Sequence, residues 1–135
     1  ENATLNGLTD APIRWLCDDV QKFVQREQRR ENRYHAIVLD PPSYGHGPKK
    51  QPWVIEDHLP ALLQDCVKLL NEEWRFILLS CHTEQFPLKR LESLLRESLR
   101  STGDVDFDHH RMNLKSSTGH QLSQGVSIRA VRNAT

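Results

Sequence analysis

Tyr34-His35-Ala36-Ile37-Val38-Leu39-Asp40-Pro41-Pro42-Ser43-Tyr44 is the stretch that decides how this chain is read. Its apolar centre, Ala36 to Leu39, is continuous rather than alternating, the pattern of a strand buried on both faces of a parallel sheet. It stops at Asp40 and two prolines. Each proline fixes φ and removes an N–H donor, so the following loop is stiff and holds the Asp40 carboxylate and the Tyr44 ring in defined places. In open α/β sheets ligands bind beyond the carboxyl ends of the strands, which makes this loop the first candidate site. A carboxylate there accepts a hydrogen bond from an amino or ring N–H, and an aromatic face stacks a base for roughly 1 to 3 kcal/mol. The plain alternatives are a carboxylate that only caps a turn and a ring packed over its own loop.

Upstream, Ile13 to Cys17 is a short, mostly apolar run ending in Asp18-Asp19, which reads as a strand with acidic residues at its carboxyl end. Asp18 or Asp19 then caps a helix over Val20 to Arg30, with Val20, Phe23, Val24 and Glu27 at helical spacing and a basic end that suits the helix dipole. Before it, Ala3 and Leu5 followed by Asn6-Gly7 read as the last turn of a helix stopped by glycine. Downstream, residues 43–53 hold two glycines, two further prolines and Lys49-Lys50, and read as a mobile surface loop. Leu59, Leu62, Leu63, Cys66, Val67, Leu69 and Leu70 recur at three and four residues, a helix with Pro60 expected in its first turn. A strand over Arg75 to Ser80 and a helix over Pro87 to Arg100 follow, the latter with Leu88, Leu91, Leu95 and Leu99 inward and Gly103 as its stop. Val105 and Phe107, then Val126, Ile128 and Ala130, alternate with polar residues, so two half-exposed strands are expected to pair antiparallel. The element order predicts an α/β fold whose sheet is mostly parallel, with an antiparallel carboxyl-terminal strand pair.

A length of 135 residues suits one domain, residues 1–135. Apolar side chains make up 37%, which predicts a modest core under a charged surface. Eighteen basic and eighteen acidic residues cancel, so net charge by itself calls for no nucleic acid, membrane or acidic partner. Cys17, Cys66 and Cys81 are odd in number and form no C-x-x-C pair, against both a disulfide framework and a zinc site; a reducing cytoplasm is the expected location. No apolar run approaches the roughly 18 residues of a membrane span. Arg26, Arg29, Arg30 and Arg33, interleaved with Glu27 and Glu31, read as a solvated helix end. Lys49-Lys50 near Trp53 suit either a nucleic-acid backbone or a lid. His46 reads as a substrate contact or an exposed side chain, and His109-His110 as structural, so no metal is expected.

Three strand ends carry a resemblance: Asp18-Asp19-Val20 followed by Phe23, Ile37 to Tyr44, and Leu78-Leu79-Ser80-Cys81. With these residues the chain resembles the class I S-adenosylmethionine-dependent methyltransferases, and is similar to the group that includes cytosine-5 methyltransferases of large-subunit (23S) ribosomal RNA. The resemblance runs from Asn2 to about Arg132. It implies a partial Rossmann-like fold, S-adenosyl-L-methionine as cofactor and an RNA base as acceptor. It also implies that Asp19 and Val20, with Asp18 beside them, lie against the donor's adenine, and that Asp40 to Tyr44, Pro41 included, face the donor's sulfonium and the target base. A cytosine-5 methyltransferase needs a thiolate to attack the base ring, which makes Cys81 a candidate nucleophile. Its plain alternative is a buried small hydrophobe. Asp19 has the alternative of a simple helix cap.

The family's first strand with its glycine-rich loop, and the acidic end of its second strand, have no counterpart here. The chain is therefore expected to be the carboxyl-terminal portion of such a domain, to bind S-adenosylmethionine weakly or not at all by itself, and to be inactive alone. The family's sheet order would place those strands between the Ile13 and Tyr34 strands. Their absence predicts that these two strands pair directly or leave an exposed edge that recruits a second copy. Two other functions compete: a catalytically silent, self-associating protein, and a non-enzymatic nucleic-acid binder, which the neutral charge makes weakest.

Overall fold

The protein was analysed as a computed structural model, which describes residues 1–46, 52–83 and 86–133. It opens with a single helical turn, α1 (Asn2–Leu5), released at Gly7 with φ of +68°. Helix α2 spans Val20–Arg29 and strand β1 Ala36–Leu39. Strands β2 (Tyr44–His46) and β3 (Pro52–Val54) form an antiparallel pair, so the described ends of the expected loop are strands. Lys49 and Lys50 lie outside the described residues. Helix α3 (Ile55–Val67), strand β4 (Phe76–Cys81) and helix α4 (Leu88–Ser98) lead into the long hairpin β5 (Val105–Lys115) and β6 (Gln121–Arg132).

The main sheet has the order β1-β4-β6-β5. β1 pairs with β4 in parallel, β4 with β6 antiparallel, and β6 with β5 antiparallel, which is the α/β arrangement with the antiparallel carboxyl-terminal pair read from the sequence. Strand alternation sorts the faces. Ile77, Leu79 and Cys81 of β4 and Ile128 and Ala130 of β6 are buried against Ile55, Leu59 and Leu63 of α3 and Leu91 and Leu95 of α4. Phe76, Leu78 and Ser80 point to the other face and are half-buried. A second cluster joins Val24 of α2 to Leu62 and Cys66 of α3. Burial there pushes the Cys66 thiol up to about 12, which keeps it protonated and inert.

Three sequence expectations are corrected. Ile13 to Cys17 forms no strand: it pairs with no described residue, and Trp15 is 71% exposed. An extended apolar run becomes a strand only when a neighbour completes its hydrogen-bond ladder. β1 is not buried on both faces: Ile37 and Leu39 pack toward the helices, but Val38, on the face it shares with Leu78, is 66% exposed, and β1 occupies the edge of the sheet. Of the two outcomes expected for this region, the structure has the open edge. Pro60 sits in the second turn of α3 rather than the first, since the helix already begins at Ile55. Proline there forfeits one backbone hydrogen bond. Burial of Ile55, Leu59, Leu62, Leu63 and Cys66, at roughly 1.5 to 3 kcal/mol for each large side chain, outweighs that loss.

Glu27 lies on the inner face of α2, as its spacing predicts, but is a buried acid only 2% exposed. Its carboxylate accepts hydrogen bonds from the Tyr34 hydroxyl and from Asn32 Nδ2 at 2.7 Å, with Arg30 Nη1 at 3.5 Å. These donors tie the end of α2 to the start of β1. The Tyr34 hydrogen bond, then that of Asn32, holds the Glu27 carboxyl below its ordinary value. A depressed folded-state value contributes stability above the unfolded value and loses it as pH falls through the folded one. Thermal unfolding from pH 6 downward should therefore show a loss of stability below about pH 4.5. That loss should be shallower in Glu27→Gln, and identical slopes in the two proteins would remove Glu27 from the account.

Candidate functional site

A cavity of about 530 Å³ opens beyond the carboxyl end of β1, inside the roughly 300 to 1,000 Å³ typical of ligand pockets. Asp18, Asp19 and Val20 form one side and Leu39, Asp40 and Pro41 another. Five of the seven candidate residues named from sequence thus share one cavity, although the two segments lie some 20 positions apart.

The two aspartates at the first side differ. Asp18 is committed: Oδ2 takes Arg26 Nη1 at 2.7 Å and Oδ1 takes the Asp19 N–H at 2.8 Å. The Arg26 hydrogen bond, followed by that backbone N–H, holds the Asp18 carboxyl below the usual range. Asp19 is the cap of α2, with Oδ1 accepting from Lys22 N–H at 3.0 Å. Its Oδ2 has no hydrogen-bond donor among the described residues, so one carboxylate oxygen remains available in the cavity wall. Capping and ligand binding are therefore compatible at Asp19, and the cap positions it without a strand beneath.

On the other side, Asp40 is fixed from β4. Ser80 Oγ donates to Asp40 Oδ1 at 2.5 Å, and His82 Nε2 lies 3.2 Å from the same oxygen. Both partners use Oδ1, which leaves Oδ2 free among the described residues. The loop after Asp40 is stiffened as its prolines predict: Trp53 Nε1 donates to the Pro42 carbonyl at 2.8 Å, Ile55 N–H to the Ser43 carbonyl at 3.2 Å, and Thr83 Oγ1 to Ser43 Oγ at 2.6 Å. Trp53 also stacks on His58 with ring centroids 5.2 Å apart, and both line the cavity.

Tyr44 and Cys81 stand outside the cavity lining. Tyr44 is 59% exposed on β2, with its hydroxyl 3.1 Å from His46 Nε2 and the two rings edge to face. Cys81 is fully buried in the main core, because strand alternation turns it, like Ile77 and Leu79, toward the helices. So placed, the Cys81 thiol does not open on the cavity, which is the arrangement its small-hydrophobe alternative expects. His58 and Leu62 of the cavity wall were not singled out from sequence as site residues. Their spacing of four on α3 puts them on one helix face, a signal that the strong apolar repeat of that helix obscures. Among the described residues no cluster of three or more His, Cys, Asp or Glu could hold a metal ion. Among the described residues no helix is long and apolar enough to cross a membrane.

This architecture is one that known proteins share. No protein-family pattern and no curated protein matches the chain. Among solved structures, a SAM-dependent methyltransferase from Agrobacterium tumefaciens is 33% identical, with a TM-score of 0.84 over 97% of this chain and 44% of its own. SMU.776, assigned as a methyltransferase and complexed with SAH, is 15% identical with a TM-score of 0.73 over 96% of this chain and 34% of its own. A precorrin-6y C5,15-methyltransferase from Geobacter metallireducens is 12% identical with a TM-score of 0.54 over 98% of this chain and 60% of its own. The chain has the Rossmann-like α/β fold of SAM-dependent methyltransferases. It spans less than two thirds of the length of each of these neighbours, and under half of the Agrobacterium protein.

Proposed function

We propose that this chain supplies part of the donor and acceptor site of an S-adenosylmethionine-dependent methyltransferase acting on an RNA base. The observation that supports this most is the meeting of Asp18-Asp19-Val20 with Leu39-Asp40-Pro41 in one cavity at the end of β1. The residues present fit the donor. Asp19 Oδ2 is placed to accept from the amino group of an adenine, and Val20 offers apolar surface beside it. When bound, the donor supplies an electrophilic methyl group. Asp40, held through Oδ1 by Ser80 and His82, keeps Oδ2 to accept an N–H of the target base. The Trp53–His58 stack walls the cavity, and the exposed Tyr44 ring offers a face on which a base stacks. An acceptor with an N–H suits this arrangement better than cytosine C5, because Asp40, with its Oδ2 free, lines the cavity whereas the buried Cys81 does not.

Activity belongs in this reading to a complete domain, of which the chain contributes the carboxyl-terminal portion. The chain alone is expected to bind donor weakly, since it has no glycine-rich loop. A second reading, a silent protein that self-associates, is favoured by the open edge of β1. Titrating isotope-labelled protein with SAH into the millimolar range, followed by amide NMR, separates the two. We expect shifts confined to Asp18 to Val20 and Leu39 to Gly45, saturating above the micromolar range. Scattered shifts would sink the donor reading. Absent shifts together with concentration-dependent sedimentation would select self-association through β1.

A further inference from the structure

The hairpin β5–β6 is longer than the sheet it belongs to. β4 pairs with β6 only from Val126 to Val131, whereas β5 pairs with β6 as far as Lys115 and Gln121. Val126 lies opposite Cys81, the carboxyl end of β4, so the hairpin continues past the sheet on the side where Asp40 lies. From Arg111 to Lys115 the arm advances about 14 Å, at roughly 3.4 Å per residue. Its root abuts the site: a Cβ on Gly125 would fall 2.1 Å from the Cys81 carbonyl and 2.9 Å from His82 Cα, and His82 contacts Asp40.

The arm's charge is one-sided. The chain as a whole is neutral, yet residues 109–135 contain Arg111, Lys115, Arg129, Arg132 and three histidines, and no Asp or Glu. At the root, Arg129 is matched by Asp108 and His109 by Glu92. Beyond the root, Arg111 and Lys115 are exposed and have no acidic partner among the described residues. Leu114 and Leu122, paired across the strands, are exposed at the tip. Two leucines are far short of the roughly 800 Å² per partner of a stable protein interface. Unmatched cations on an arm whose root is linked to Asp40 through His82 are what a polyanion needs.

We propose that the β5–β6 arm binds the phosphate backbone of single-stranded RNA, flanking a nucleotide held at the Asp40 cavity. The proposal rests on the RNA reading above and deepens it. Arg111 and Lys115 contact phosphates next to the target nucleotide, and the arm favours a polynucleotide over a free base or nucleotide. Each phosphate neutralised on a single strand adds roughly 0.7 to the slope of log affinity against log salt.

The test is fluorescence anisotropy of the whole chain with a fluorescein-labelled mixed-sequence RNA 12-mer, at salt from 50 to 200 mM, compared with Arg111→Ala/Lys115→Ala. Expected are a dissociation constant near physiological salt in the roughly 10⁻⁴ to 10⁻⁶ M range of non-specific binding, a loss of about tenfold in the variant, and a salt slope lower by roughly 1.4. Arg111→Glu/Lys115→Glu should lose more, with unchanged far-UV circular dichroism. Equal affinity and slope in wild type and variants, or no binding by wild type at low salt, would overturn the proposal. SAH-induced shifts at Asp19 and Leu39 should survive in both variants. Loss of the arm effect with those shifts intact defeats this proposal alone, and the reverse defeats the donor reading alone.

Discussion

Gly125→Ala is expected to destabilise the protein by roughly 2 to 5 kcal/mol. Gly125 has φ of +98°, a conformation that costs an L side chain about 1 to 2 kcal/mol. Its missing Cβ also faces the Cys81 carbonyl at 2.1 Å and the Cys81 carbonyl carbon at 3.0 Å, backbone atoms that cannot swing aside as a side-chain tip would. Overpacking of this kind costs roughly a further 1 to 3 kcal/mol. β6 would have to move away from β4, opening the sheet where His82 reaches Asp40. Urea unfolding measures the loss, and Gly119→Ala is the matched control: it also has positive φ, but open space around its Cβ. Equal losses at the two glycines would show that backbone conformation alone matters and that the close approach to β4 does not.

Leu63→Ala should cost about 2 to 5 kcal/mol, the range for truncating a fully buried leucine. That is a large share of the roughly 5 to 15 kcal/mol by which a domain of this kind is stable. α3 is the helix on which both core clusters meet, with Ile55, Leu59 and Leu63 under the sheet and Leu62 and Cys66 toward α2. It also carries His58, the stacking partner of Trp53, so loosening α3 loosens the cavity wall. Leu122→Ala, at the exposed tip of the arm, should stay within about 0.5 kcal/mol. A loss below about 1 kcal/mol at Leu63 in urea unfolding would contradict the packing of α3 described above.

The link between stability and function runs through Asp40. Its position depends on β1 lying parallel to β4, since that pairing brings Ser80 and His82, 40 and 42 residues later in the chain, to one carboxylate oxygen. A change that shifts β4 is felt at the site even when it touches no cavity residue.

Much of this was legible in the residues themselves. The apolar repeat of α3, the alternation of β5 and β6, the Asp19 cap and the rigid Asp-Pro-Pro turn are local facts, set by spacing of 3.6 or 2 and by proline's fixed φ. They determined the α/β class, whereas the meeting of Asp18 to Val20 with Asp40 and Pro41 was implied only by the resemblance to the methyltransferases. What only the tertiary structure decided is which neighbour each segment finds. Ile13 to Cys17 has a strand's composition but no ladder partner, and Val38 is as apolar as Ile37 yet faces outward at an edge. Cys81 stands at a strand end, as a nucleophile would, yet its parity with Ile77 and Leu79 buries it. Hydrogen-bond pairing and burial are relations between distant parts of the chain, so periodicity can propose them and only packing can assign them.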